Sequence, residues 1–514
     1  APMPPPAVRQ VLASLRVVAG LDGARSRSAA AGRAKLEALA DNAAFFRDGL
    51  IALGLQVLGD HGSPVVPLMI FHPRKMAIFS RKMLERKIAV VIVGYPATSP
   101  FLNRARFCVS AAHTRDQLEY ALGCIDELAT ELGLKYHADP HARAAAARIE
   151  HERRARLRTA PMVLPNAAAV ARSLRAWSPE PLGVPGAAAR LPPAPAPPAP
   201  GVSLAFALQD PLGMAAEPSL REVACDTIRA YGVGTCGPRA FYGTLDLHLA
   251  LERRLAAFLG VEGAIVYSKG VATVSSMLPA FAGRGDVVFY DELCHARVVA
   301  GVRLSRARAV PYKHNDAAAL RAALEKQAAR DAGTPAHKAG RRLILTEGLS
   351  AATGAVCPLP DLVALRDEFG AYLMVDETLS FGVLGARGRG VAEHFGLRPS
   401  ALDAVVGTLE VAVGSVGGFC AGSAQVVRQQ RLFATGFIFS ASLPAYCTAV
   451  AARAVDLLDA EPERAAKARA AGRAFAEGLR GGGVAQALAL LVTGGEGNAV
   501  HVRAPGAGSP RAQR

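Results

Sequence analysis

Two apolar patterns alternate along the chain. In one, apolar residues recur every three or four positions, the spacing of a helix that buries one face. In the other they form short unbroken runs, as in a strand covered on both sides. The first 136 residues mix the two. Residues 7–53 predict two helices, Ser63–Phe71 a strand opened by a proline, Arg74–Lys87 a helix, and Ile88–Val93 and Arg104–Ser110 two more strands. Thr114 and Gln117 form a capping box, with Leu118, Leu122, Ile125 and Leu132 following at helical spacing. Residues 1–136 are therefore expected to form a small α+β domain.

Residues 137–205 lose both patterns. They are rich in Ala and Arg and then run into LPPAPAPPAPG, a composition suited to an extended spacer. From 206 to 480 the alternation returns. Apolar runs at Ala264–Tyr267, Asp286–Tyr290, Leu343–Thr346, Tyr372–Val375, Ala404–Gly407 and Gly417–Ala421 predict strands. Helical patterns at Leu245–Leu259, Ala317–Ala328 and Leu359–Glu368 supply crossovers for a mostly parallel α/β sheet. Residues 481–514 offer one strand, Asn498–Arg503, and are expected to be the truncated start of a second small domain.

Composition changes this picture little. With 514 residues and 51% apolar side chains the chain can build sizeable cores. A formal net charge of +16 raises the question of nucleic acid. Eight arginines lie between Arg143 and Arg175 against Glu150 and Glu152, almost without aromatic residues, which fits a solvated segment and no nucleic-acid partner. Eight cysteines without a CxxC pair indicate neither a disulfide framework nor a metal site. No apolar run is long enough to span a bilayer, and the start at Ala1 in place of methionine suggests a chain that begins inside a longer gene product.

Candidate chemistry gathers at strand ends. Ser268 and Gly270, in YSKGV, stand where a strand meets a helix and backbone N–H groups can hold a phosphate. Asp376 ends the strand YLMVD and is placed to face a pyridinium nitrogen, and His295 to stack on such a ring. Val405–Ser423 (VVGTLEVAVGSVGGFCAGS) reads as strand, turn and strand, with Gly417 and Gly418 allowing close backbone approach. Glu410 is the polar candidate on that turn.

Taken in order, YGVGTCGPRAFYGTLDLHLALERRLAAFLG, YSKGVATVSSMLPAF, TEGLSAATGAVCPLP, VDETLSFGVLGARGRGVAEHFG, GSVGGFCAGS and FSASLPA resemble the α-oxoamine synthases. These pyridoxal-phosphate enzymes condense an amino acid with an acyl-CoA. The likeness runs from about residue 176 to 480 and is nearest to the non-catalytic long-chain-base subunits of serine palmitoyltransferase. SPVVPLMIF, GYPATSP and RARFCVSAAHT resemble instead the carboxyl-terminal domain of the catalytic subunit, and the two likenesses together imply a fusion.

The resemblance implies an aminotransferase-like (fold type I) large domain and a part in condensing L-serine with palmitoyl-CoA to 3-ketosphinganine. It implies that Arg106 grips the substrate carboxylate, a task suited to a planar fork of donors. It also implies that Val411 stands where catalytic members carry the Schiff-base lysine and Leu379 where they carry a histidine, so the large domain is expected to be silent alone. The lysine would come from an upstream or partner catalytic domain. Cys236 and Ser440 would border a dimer interface, and the assembly would work at the cytosolic face of the endoplasmic reticulum membrane. A regulatory pseudoenzyme, or an oxoamine synthase using glycine or alanine, is the alternative.

Overall fold

The computed structural model describes residues 10–15, 29–60, 62–94, 98, 102–136, 209–235, 237–333, 340–481, 491–497 and 499–503. The expected spacer at 137–205 and Cys236 lie outside them. The chain divides into two compact units, Met3–Leu208 and Gln209–Arg514, the latter grouped with Ala1–Pro2.

In the first unit, α1 (Ala29–Ala52), β1 (Val65–Phe71), α2 (Pro73–Glu85), β2 (Val91–Val93), β3 (Asn103–Cys108) and α3 (Arg115–Glu131) enclose one core. The sheet is antiparallel in the order β1-β3-β2. Phe46 of α1 packs on Phe107 of β3 with ring centroids 5.1 Å apart. The fully buried Arg47 donates to the carbonyls of Leu58 and Gly59, just past the bridge that pairs Val57 with Leu68 of β1. The capping box forms as expected, the Thr114 hydroxyl accepting from Gln117 N and the Gln117 amide oxygen accepting from Thr114 N. β2 is shorter than the apolar run suggests. Lys87 turns left-handed (φ 62°) and Ile88 N donates back to Met83 O, so Ile88 closes a helix and does not open a strand.

The second unit is built on a seven-stranded sheet. It comprises α4 (Pro218–Tyr231), α5 (Asp246–Leu259), β4 (Gly263–Tyr267), α6 (Gly270–Phe281), β5 (Val287–Asp291), α7 (Ala296–Ser305), β6 (Arg308–Tyr312), α8 (Ala317–Asp331), β7 (Arg342–Glu347), α9 (Leu359–Phe369), β8 (Tyr372–Asp376), β9 (Ala404–Thr408), β10 (Gly418–Gly422), α10 (Ala424–Phe433), α11 (Ala445–Ala460) and α12 (Glu463–Gly481). Strand order is β4-β10-β9-β8-β7-β5-β6. All strands run parallel except β10, which is antiparallel to both neighbours because a direct hairpin joins it to β9.

Period two explains the unbroken apolar runs. Val266, Phe289, Ile344, Leu373, Val375, Val405 and Phe419 face one core, with α5, α9 and α11. Their neighbours Ile265, Val288, Leu343, Leu345, Met374, Val406 and Cys420 face the other, with α6 and α7. Each large side chain buried this way contributes about 2–3 kcal/mol. The edge strand β6 (RAVPY) escapes a search for apolar runs because only Tyr312 is buried and Pro311 interrupts it, which an edge tolerates. At the carboxyl end, the single strand expected at Asn498–Arg503 is corrected to a hairpin, β11 (Leu491–Gly494) paired with β12 (Val500–Arg503).

The close approach expected at the glycine pair is present. A Cβ on Gly418 would lie 2.3 Å from Thr273 Oγ1 and 2.8 Å from Gly407 O. Gly418→Ala is expected to lower unfolding free energy by about 1–3 kcal/mol. Gly123→Ala, on the exposed face of α3 where nothing lies within 4 Å, should raise it by roughly 0.5–1 kcal/mol. Denaturant titration of the full chain checks both signs.

Candidate functional site

The carboxyl ends of the parallel strands, where open α/β sheets gather ligands, carry acidic residues. β5, β7 and β8 end in Asp291, Glu347 and Asp376, with Glu377 next, and all four are buried. Each carboxylate needs partners at such depth. Asp291 is 2.9 Å from His314 Nδ1 and accepts from Leu293 N and Asn315 N. Glu347 accepts from His295 N and Ala351 N, each at 3.0 Å. Glu377 accepts from Val391 N at 2.8 Å and from the Ser380 hydroxyl.

Asp376 is placed as expected at the end of its strand, and its two oxygens are engaged. Oδ1 accepts from Thr378 N at 3.0 Å and Oδ2 from Arg297 Nε at 2.7 Å. The same guanidinium lies 3.5 Å from Glu347 Oε1, with the Arg297 side chain 9% exposed. Burial by itself would lower the Arg297 pKa, but the Asp376 and Glu347 carboxylates outweigh it and the guanidinium stays charged. Burial pushes Glu347 up to about 7, with Asp376 adding repulsion and Arg297 opposing it. Burial likewise pushes Glu377 up to about 7. Arg297 is the residue that reading the sequence missed. Its signal was a cation in the first turn of α7, where the helix dipole disfavours it unless something nearby demands positive charge.

His295 is exposed and caps α7, its Nδ1 accepting from Arg297 N at 3.2 Å. Ser268 is half-buried after β4, and Gly270 opens α6 without a side-chain cap. A Cβ on Gly270 would meet Thr408 Cγ2 at 2.8 Å, Gly417 O at 2.9 Å and Glu410 Oε1 at 3.0 Å. The helix start and the turn Leu409–Gly417 are thus in direct contact. Glu410 Oε1 and Thr408 Oγ1 are both shielded from solvent and accept no hydrogen bond among the described residues. Val411 is buried on that turn, and Leu379 is half-buried against the core.

Segments 237–243 and 439–442 also come together. Ser442 N and Oγ each donate to Gly237 O at 2.8 Å, and Pro238 pairs with Ala441. Ser440 is half-buried beside the 60% exposed Phe439. In the other unit, Arg106 lies on the central strand β3, between Pro67 and Val91, and not on an edge.

The sequence profile of the family described as aminotransferase class I and II matches residues 8–125 and 204–499. Long chain base biosynthesis protein 1b of Oryza sativa subsp. japonica is 40% identical over 264 residues, 51% of this chain and 54% of that protein. An 8-amino-7-oxononanoate synthase of Geobacter sulfurreducens is 46% identical over 260 residues, 51% of this chain and 64% of that protein. The chain thus spans about half the length of the first of these relatives and somewhat more of the second. Among solved structures, a serine palmitoyltransferase of Sphingomonas wittichii superposes with a TM-score of 0.52 at 30% identity, covering 57% of this chain and 70% of that one.

A solved structure of equal similarity holds pyridoxal phosphate. That group asks its protein for an amine, an anion facing the ring nitrogen and donors around the phosphate. Here the turn Leu409–Gly417 carries no lysine, Asp376 is already paired with the Arg297 guanidinium, and a carboxylate stands at the start of α6. The residues present do not fit the group.

The raised carboxyl groups set a pH dependence. Between about pH 4.5 and 7 the unfolded chain releases the Glu377 proton while the folded chain retains it, so stability is fully present below 4.5 and falls as pH rises through 7. The loss is on the order of 3 kcal/mol. Glu377→Gln keeps a carbonyl for Val391 N and an amide for Ser380. It is expected to lessen the fall of Tm between pH 5 and 8 by about half, Glu347 supplying the rest, as scanning calorimetry would measure.

Proposed function

This chain belongs to the aminotransferase class I and II family, and from that premise we propose that it is the non-catalytic part of a serine palmitoyltransferase. In that assembly L-serine and a fatty acyl-CoA are condensed in sphingolipid biosynthesis. The observation that carries the reading is the turn Leu409–Gly417. It is held in the shape of an active-site mounting but bears a buried Val411 and no amine. The 40% identity to a long chain base biosynthesis protein supports the same reading.

The chemistry then belongs to a second domain or subunit that brings the Schiff-base lysine and pyridoxal phosphate. Segments 237–243 and 439–442, tied together at Gly237 and Ser442 and flanked by the exposed Phe439, are the surface offered to it, with Ser440 at its border. Arg106 contributes a carboxylate grip for serine. The assembly works as a dimer at the cytosolic face of the endoplasmic reticulum membrane. Among the described residues no helix is long and apolar enough to cross a bilayer, so on this reading the chain attaches peripherally or through its partner.

The 46% identity to an 8-amino-7-oxononanoate synthase favours a second reading, the same partner role with an amino acid other than serine. One assay separates them. Offered palmitoyl-CoA with serine, glycine or alanine, the chain alone is expected to release no coenzyme A. Combined with a lysine-bearing long-chain-base subunit, it should support turnover with serine. Turnover by the chain alone would overturn the proposal, and preference for glycine or alanine would select the second reading. In the active assembly, Arg106→Ala should lower kcat/KM for serine by about 10- to 100-fold while leaving the KM for acyl-CoA unchanged.

A further inference from the structure

The disagreement between this site and the cofactor has a definite shape, because the places of both cofactor charges are filled by side chains of the chain itself. Ring nitrogen and phosphate carry opposite charges and need opposite surroundings. Asp376 Oδ1 accepts from Thr378 N, and Oδ2 is ion-paired with Arg297 Nε at 2.7 Å. The guanidinium spans on to Glu347, and its side chain is 9% exposed, so no water-filled gap separates it from the two acids. At the other end, the uncapped start of α6 meets the Glu410 carboxylate, whose Oε1 is shielded from solvent and lies 3.0 Å from the Cβ position of Gly270. A phosphate brought there would meet a second anion in a confined space.

We infer that this pocket is self-filled: Arg297 is a built-in cation in the seat of a pyridinium ring, and Glu410 a built-in anion in the seat of its phosphate. The arrangement lets the unit fold with Asp376 and Glu347 sharing an internal cation and no cofactor present. Arg297 is then a positioning residue for the sheet end. The inference stands apart from the partner role, since a chain that bound the cofactor could still serve a partner, and one that excluded it could serve none.

The test uses the full chain and two readouts, Tm and the absorbance of added pyridoxal phosphate. The wild type is expected to show no saturable rise in Tm and no bound-cofactor band. Arg297→Ala, which leaves Asp376 and Glu347 without their cation, should lower Tm by roughly 10 °C. Methylguanidine should restore part of that loss saturably, whereas equimolar methylamine should restore less, because only the planar fork can reach both acids. Arg297→Lys keeps a charge without the fork and should fall between wild type and alanine. Should the alanine variant fail to fold, the lysine variant and the wild-type titration still decide. Saturable stabilisation of the wild type by pyridoxal phosphate, or an Arg297→Ala protein as stable as wild type, would overturn the inference.

Discussion

A sheet covered on both faces carries its strand ends into a region where water cannot solvate them, and here three of those ends are carboxylates with a fourth adjoining. Everything around them answers that constraint. Backbone N–H groups of the following loops turn inward to Asp291, Glu347, Asp376 and Glu377, which fixes the course of those loops. One guanidinium serves two acids, so the local balance stays negative and Glu347 holds its proton to about pH 7. Arg297 can reach both because β7 and β8 are parallel neighbours in register, with Glu347 opposite Asp376.

That balance separates two properties which a shared family would otherwise run together. The frame of the site is the parallel strands, the helix that starts at Gly270, the hairpin from β9 to β10 and the close glycine contacts. The turn Leu409–Gly417 itself carries no lysine. The proposed role as a partner subunit draws on the frame alone, since a surface built from segments 237–243 and 439–442 needs shape and not chemistry.

How much of this could be read beforehand depended on whether the signal was local. Strands buried on both faces announced themselves as apolar runs, and the capping box at Thr114 as four consecutive residues. β6 did not, because an edge strand need not be apolar, and β11 did not, because its residues are half exposed. Asp376 was found because a strand ending in an acid is visible in one dimension. The occupancy of its oxygens was not, since Arg297 lies 79 positions away. Glu410 was visible as a polar residue on a turn, but its place beside Gly270 depends on contact between segments about 140 residues apart. Arg106 was read as an arginine on a strand, and only the order β1-β3-β2 puts that strand at the centre.

The turn between β9 and β10 is held by main-chain bonds, Leu409 N to Gly417 O at 2.8 Å and Ser415 N to Leu409 O at 2.9 Å, and by the left-handed Gly414 and Gly417. None of these depends on which side chain occupies its crest. A reactive residue can therefore be exchanged there for an aliphatic one without loss of shape, and the aliphatic side chain then settles into the interior. The opposite exchange is harder, because a charged amine placed at the buried position of Val411 would lose its hydration. Change at such a turn works as a ratchet, easy toward silence and resistant to reversal by any single substitution.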